Sequence, residues 1–186
     1  MIVVFLDEMG FTRWPQAARD WVAQAPVPPP VARRAGKNNQ QWRLIAALNA
    51  LNGQVTHLDG YIVGRAKLIE LYQQLVKSYP AARRIYVVQD NWSVHKHEDV
   101  LQALGDWPQL EPVWLPTYAP WLNPTEKLWR WLRAVVLKLH RLADDWPGLR
   151  QQVRDFLDQF AGGSQELLHY VGLLGDGRLA TATRGS

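Results

Sequence analysis

Ile85-Tyr86-Val87-Val88-Gln89-Asp90-Asn91 is a short β-branched run that breaks abruptly into polar residues. Such a continuous apolar stretch predicts a fully buried strand, with Asp90 at its carboxyl end. The chain opens on the same pattern, since Ile2-Val3-Val4-Phe5-Leu6 runs straight into Asp7-Glu8. Between these two lie Trp42 to Leu51 and Gln54 to Val63, apolar-rich runs joined by Asn52-Gly53. Asn-Gly in that setting predicts an antiparallel hairpin. Ala66, Leu68, Ile69, Leu71, Tyr72, Leu75 and Val76 recur at helical spacing, so residues 64–79 form a helix that Pro80 ends. A short helix over about 94–104 and a proline-bounded strand, Pro112 to Pro116, come next. The order strand, strand, strand, helix, strand, helix, strand, helix predicts an α/β fold with a five-stranded mixed sheet covered by helices. In it the first and fourth strands lie side by side and parallel. Asp7 and Asp90 then share the carboxyl edge, where α/β sheets place their sites.

Further along, Asn123-Pro124-Thr125-Glu126 has the parts of a helix start: a capping Asn, a Pro at the first helical position and a Glu at the third. The helix is expected to reach about Leu142, with Leu128, Trp129, Leu132, Val135, Val136 and Leu139 as its apolar stripe. Helices over about 147–160 and 164–172 follow, and 175–186 reads as a flexible tail behind a single domain, 1–174. Residues 22–41, with Pro26, Pro28, Pro29 and Pro30, read as a long loop. Its basic end suggests a phosphate-facing arm.

Composition narrows the function. The chain has 186 residues, no Cys, 47% apolar and 20% charged residues. That excludes a disulfide framework, a thiolate metal site and a cysteine nucleophile. No apolar run is long enough for a membrane span, and the apolar start lacks a basic flank, so the expectation is a cytosolic protein. The net charge is +4, which is compatible with a polyanionic partner. Residues 1–93 carry 11 Lys/Arg against 6 Asp/Glu, whereas 94–186 carry 10 against 11. Ten Trp is more than a core of this size needs, so some are candidates to stack on bases.

Three acids stand out: Asp7, Asp90 and Glu126, with 35 residues between the last two. Each alone has an ordinary explanation as a turn or capping residue. Together they converge if the first and fourth strands are neighbours. Carboxylates about 4–5 Å apart repel by roughly 3–4 kcal/mol per pair at an effective dielectric near 20. Divalent cations remove that repulsion, and carboxylates with open positions suit Mg²⁺ or Mn²⁺. Two such ions can activate a water or sugar hydroxyl and stabilise the leaving oxygen of a phosphodiester. An acid triad on a basic protein therefore fits the cutting or joining of nucleic acid strands. The repulsion also predicts that Asp90→Asn raises the melting temperature of the metal-free protein.

Three blocks carry a resemblance: Phe5-Leu6-Asp7-Glu8, Val88-Gln89-Asp90-Asn91-Trp92-Ser93-Val94-His95, and Leu115 to Trp129 with its Tyr118-Ala119-Pro120-Trp121-Leu122-Asn123-Pro124-Thr125-Glu126 core. They resemble the catalytic blocks of mariner-related bacterial insertion-sequence transposases. These belong to the Asp-Asp-Glu (DDE) group, whose ribonuclease H-like fold is shared with retroviral integrases. The resemblance covers roughly residues 1–172, and its third block is the most specific.

It implies divalent-metal-dependent cleavage at transposon ends, followed by attack of the freed 3′-hydroxyl on target DNA. Asp7, Asp90 and Glu126 match the metal ligands for two Mg²⁺ ions, with Mn²⁺ able to substitute and Asp7 bridging. Asn91 and His95 match positions beside the second aspartate, as supporting groups. Glu8 matches a family acid whose reach to metal is open. Arg33, Arg34, Lys37, Lys127 and Arg130 are candidates for DNA backbone contacts on charge alone. His57, His97, His140 and His169 match nothing. Implied partners are double-stranded DNA, both transposon ends and target, a second copy of the chain in an active dimer, and a separate DNA-binding module. The location would be the cytoplasm, on the nucleoid. Family transposases carry helix-turn-helix domains ahead of the catalytic domain, and nothing precedes Asp7 here but its strand. The expectation is the catalytic half of a split or truncated transposase. Two other readings stay open: a non-catalytic DNA-binding remnant, and another ribonuclease H-like nuclease. A ribonuclease would show a fourth clustered carboxylate, for which Asp59 and Asp99 are the nearby candidates.

Overall fold

A computed structural model describes residues 1–17, 32, 36–117 and 119–174. Five strands form one sheet: β1 Ile2–Thr12, β2 Gln41–Asn49, β3 Val55–Gly60, β4 Ile85–Gln89 and β5 Leu110–Trp114. Their spatial order is β3-β2-β1-β4-β5. β1 pairs antiparallel with β2 and parallel with β4, as expected. β2 and β3 are antiparallel, and β4 and β5 parallel. Pro112, which lacks an N–H, sits on the edge strand β5, where a missing donor costs least.

Helices cover both faces, and the period of two along the strands decides which residue meets which face. Val4 and Leu6 of β1, Ile45 and Ala47 of β2, and Ile85 and Val87 of β4 form one core. It packs on α1, Arg65–Ser78, through Leu68, Leu71, Tyr72 and Leu75, and on α2, Glu98–Gly105, through Val100. Met9 and Phe11 of β1, with Leu44, Ala46 and Leu48 of β2, form the other core. That face meets α3, Thr125–Leu132, α4, Trp146–Asp158, and α5, Gln165–Val171. β2 sits between β1 and β3 with helices on both faces, so Leu44 to Asn49 is buried without a break. Each large apolar side chain so buried contributes about 1.5–3 kcal/mol. The Asn52-Gly53 turn is docked as well. Gly53 has φ +73°, and a Cβ there would run into the backbone of Ser164, whose N–H donates to Asn52 O at 2.8 Å.

Several expectations need correction. β1 does not stop at Leu6. It runs to Thr12, because β2 pairs with it from Val4 onward, beyond the last β4 pair at Phe5–Val88. Asp7 is therefore inside a strand, just past the point where β4 leaves it. The helix expected over 94–104 is split into a 3-10 turn, Ser93–Lys96, and α2, with His97 between them. His97 Nδ1 accepts the Asp99 N–H at 3.2 Å and caps α2. The helix expected to reach Leu142 ends at Leu137, its last turn a wider π-helix, Arg133–Leu137. There the chain leaves to pair with Gln16, whose N–H donates to Leu137 O, and Leu139 takes φ +49°. The extra residue in the turn rotates the stripe, so Val135 is 62% exposed and Leu137 is buried in its place. Most of the 22–41 loop, with Arg33 and Arg34, and the 175–186 tail lie outside the described residues.

Candidate active site

β1 and β4 run parallel to Phe5 and Val88 and then part. Asp7 lies just beyond this fork on β1, and Asp90 follows the last residue of β4. Both line one cleft of about 360 Å³, with Asn91, Trp92, Leu115, Pro116, Thr117, Ala119 and Asn123. The parallel pairing of β1 and β4 thus brings the two aspartates to the same cleft.

Glu126 arrives by a different route. Asn123 Oδ1 accepts the Thr125 N–H at 3.1 Å, which caps α3 as expected. The same side chain also donates from Nδ2 to Leu6 O at 2.9 Å. Thr125 Oγ1 donates to Phe5 O at 3.0 Å. Two side chains at the start of α3 therefore hold it on the backbone just before Asp7. Trp129, one helical turn after Glu126 and buried, donates from Nε1 to Asp7 Oδ2 at 2.9 Å. Neither the second bond of Asn123 nor the roles of Thr125 and Trp129 were read from sequence. The i,i+3 spacing of Glu126 and Trp129 is a usable signal for the last.

The electrostatics single out Asp7. Burial raises its pKa first, the Glu126 carboxylate second and Glu8 third, from 3.8 to about 7, against the bond from Trp129. Glu126 therefore stands close enough to Asp7 to oppose its ionisation. Asp90 is different. Its side chain is 57% exposed, where solvent screens repulsion. The carboxylates that oppose the ionisation of Asp7 are those of Glu126 and Glu8. A donor set of carboxylate oxygens with one unwilling to ionise fits a divalent cation, which restores the charge balance. Filling the site would take the proton from Asp7.

His95 is fully buried and lies on the opposite side of Asp90. Nδ1 is 3.1 Å from Asp90 O and 3.3 Å from Asp90 Oδ1, and Nε2 is 3.0 Å from Glu8 Oε1. A carbonyl and a carboxylate only accept, so both ring nitrogens donate when Glu8 is ionised. Burial lowers the His95 pKa, but Glu8 and Asp90 outweigh it, and the net direction is up. Trp92 stands edge-on to the ring at 5.5 Å. Among the described residues, the trio with donor atoms within 4.8 Å of one another is Glu8, Asp90 and His95. That is not the expected trio. Its histidine is already engaged at both nitrogens, so the cluster reads as a hydrogen-bonded chain.

The remaining candidates scatter. Asn91 donates from Nδ2 to Leu115 O at 2.7 Å and ties the end of β4 to the segment after β5. Lys127 is exposed, and its Nζ donates to Val171 O at 2.9 Å, at the end of α5. Lys37 and Arg130 are exposed. Asp59 is bonded to Trp42 and Arg154, and Asp99 to Arg65, so neither is the fourth carboxylate. The acid nearest the cluster is Glu8. Of the ten Trp, Trp129 and Trp146 are buried and Trp42 and Trp131 pack against their core. Trp121 is 77% exposed beside the cleft.

Known proteins share this fold. The chain is 27% identical over 168 residues to the insertion element IS630 uncharacterized 39 kDa protein of Shigella sonnei, covering 89% of this chain and 48% of that protein. It spans about half the length of that relative. Its fold matches the Mos1 transposase paired-end complex with left transposon end, at TM-score 0.66 and 19% identity over 91% of this chain and 51% of that one. The Mos1 mariner paired end complex with Mn matches at TM-score 0.65, also 19% identical, over 91% and 51%. At that identity the likeness is one of fold, a mixed five-stranded sheet of the ribonuclease H-like kind. The family model described as DDE superfamily endonuclease matches residues 2–150, most of the chain and a range that includes the positions of all three acids, and the chain belongs to that family.

Proposed function

We propose that the chain is a transposase catalytic domain that cleaves DNA and transfers the freed 3′-hydroxyl to another phosphodiester, with Asp7, Asp90 and Glu126 holding the divalent metal. One observation carries this reading. Two strand-borne aspartates line one cleft, and Glu126 is close enough to help push the Asp7 pKa to about 7. The fold shared with a Mos1 complex containing Mn supports a divalent metal, and we assign two ions, Mg²⁺ or Mn²⁺. When bound, they supply Lewis-acid activation of a water or hydroxyl and stabilise the leaving oxygen.

The chain's own groups prepare the site. Trp129 orients Asp7 through its indole N–H. Asn123 and Thr125 fix the start of α3, and so Glu126, on the carbonyls of Leu6 and Phe5. Asp7 gives up its proton on loading. The partner is double-stranded DNA, engaged as transposon end and target by a dimer, with sequence reading left to a separate module because phosphate contacts carry no sequence information. Lys37, Lys127 and Arg130, with Arg33 and Arg34, are our candidates for phosphate contacts. No helix among the described residues is long and apolar enough to cross a membrane, and we place the protein in the cytoplasm, on the nucleoid.

The test is plasmid nicking. Supercoiled DNA is incubated with the protein in Mg²⁺, Mn²⁺ or EDTA, beside Asp90→Asn. Metal-dependent nicking by the unaltered chain only is expected. Nicking in EDTA, or by Asp90→Asn at the same rate, contradicts the assignment. DNA binding without nicking would favour a binding remnant.

A further inference from the structure

Asp7 and Glu8 are consecutive on β1, so the pleat sends them to opposite faces of the sheet. Asp7 meets Trp129 on the α3 face. Glu8 continues the row of Val4 and Leu6 on the α1 and α2 face, where it meets His95. Asp90 sits between them at the end of β4. Its carboxylate is more than half exposed and accepts from the Trp92 N–H at 3.0 Å. An exposed aspartate on a turn has rotamer freedom that a metal ligand must lose on binding. His95 limits that freedom through both the Asp90 carbonyl and Oδ1. The ring cannot shift, since it is fully buried, bonded to Glu8 and faced by Trp92 and Trp114.

We propose that Glu8 and His95 are positioning residues that fix Asp90 from the far face of the sheet, and that Glu8 is not itself a metal ligand. The proposal rests on the reading of Asp90 as a ligand. It assigns Glu8, whose reach to metal the sequence left open: Asp7 lines the same cleft as Asp90, and Glu8 acts on Asp90 through His95. Groups that orient a ligand in this way typically change metal affinity by 10–100-fold when removed.

The test measures Mn²⁺ affinity by paramagnetic resonance of the free ion, for the unaltered protein and for Glu8→Ala, His95→Ala, the double variant, Glu8→Gln and Asp7→Asn. Circular dichroism and Tm control for folding. Glu8→Ala and His95→Ala should each weaken Mn²⁺ binding about 10–100-fold, and the double variant no more than the worse single one, because the two act as a unit. Glu8→Gln should stay within about threefold, since its amide can donate to Nε2 and leave Nδ1–H for the Asp90 carbonyl. A second readout needs no metal: amide exchange at Trp92, whose N–H bonds to Asp90 Oδ1, should speed up about tenfold in the alanine variants. Glu8→Gln losing affinity as fully as Asp7→Asn would make Glu8 a ligand and overturn the proposal. Alanine variants that match the unaltered protein in both readouts overturn it too. If the unaltered protein binds no Mn²⁺, the metal reading fails, and unchanged Trp92 exchange would then sink the positioning role separately.

Discussion

Replacing Asp7 by asparagine should make the metal-free protein more stable at pH 8. The folded protein holds the Asp7 proton up to about pH 7, because of burial and the carboxylates of Glu126 and Glu8, against 3.8 for an ordinary aspartate. The folded state thus binds more protons than the unfolded one between about pH 4 and 7. Stability from this proton is fully present below about pH 4 and is lost as pH rises through about 7. Three units at 1.36 kcal/mol each give a ceiling of about 4 kcal/mol lost by pH 8. For a chain of this length that is about 10 °C in Tm. Asn is nearly isosteric with Asp, and its carbonyl can still accept from Trp129. Asp7→Asn should therefore match the unaltered protein near pH 4 and melt several degrees higher at pH 8. Added Mg²⁺ should stabilise the unaltered protein, by about 2.7 kcal/mol at a hundred times Kd, and Asp7→Asn much less. Scanning calorimetry from pH 4 to 8, in EDTA and in Mg²⁺, measures all of this. A variant that melts lower at pH 8, or a difference that does not change with pH, would refute the reasoning.

Other substitutions probe the supports. Asn123→Ala removes both the α3 cap and the bond to Leu6 O; we expect a loss of about 1–3 kcal/mol by chemical denaturation and nicking impaired beyond that of a destabilised control. Trp129→Phe keeps an aromatic ring in the core but removes the donor to Asp7, and NMR titration should place the Asp7 pKa higher than in the unaltered protein. Gly53→Ala puts a Cβ into Ser164 at a left-handed φ, so Tm should fall as for a cost above about 1 kcal/mol, with Mn²⁺ affinity unchanged. Trp121→Ala, at a 77% exposed position, should leave stability within about 0.5 kcal/mol and weaken DNA binding in an anisotropy titration.

The strands were readable because each obeyed a local rule. β-branched runs marked β1 and β4, and Asn52-Gly53 marked the hairpin between β2 and β3. Their order was enough to put Asp7 beside Asp90. What stayed hidden depends on partners distant in sequence. β1 continues past Asp7 because β2 is alongside, not because Met9 to Thr12 looks like a strand. The last turn of the helix from Thr125 widens and stops because Gln16 competes for Leu137 and Lys138. Helical periodicity sees neither. The same holds at the site. Asn123 was legible as a cap, but its second bond reaches back 117 residues to Leu6. The bond from Lys127 Nζ to Val171 O spans 44 residues. Glu8 and His95 are 87 residues apart, and only the pleat reveals that Glu8 points away from Asp7.

The most direct test of the metal assignment is anomalous diffraction from crystals soaked in Mn²⁺. The account predicts density bonded to carboxylate oxygens of Asp7, Asp90 and Glu126 at about 2.0–2.3 Å, with Glu8 still on His95. Mn²⁺ bound to Glu8 or His95, or none in the Asp7–Asp90 cleft, would contradict it.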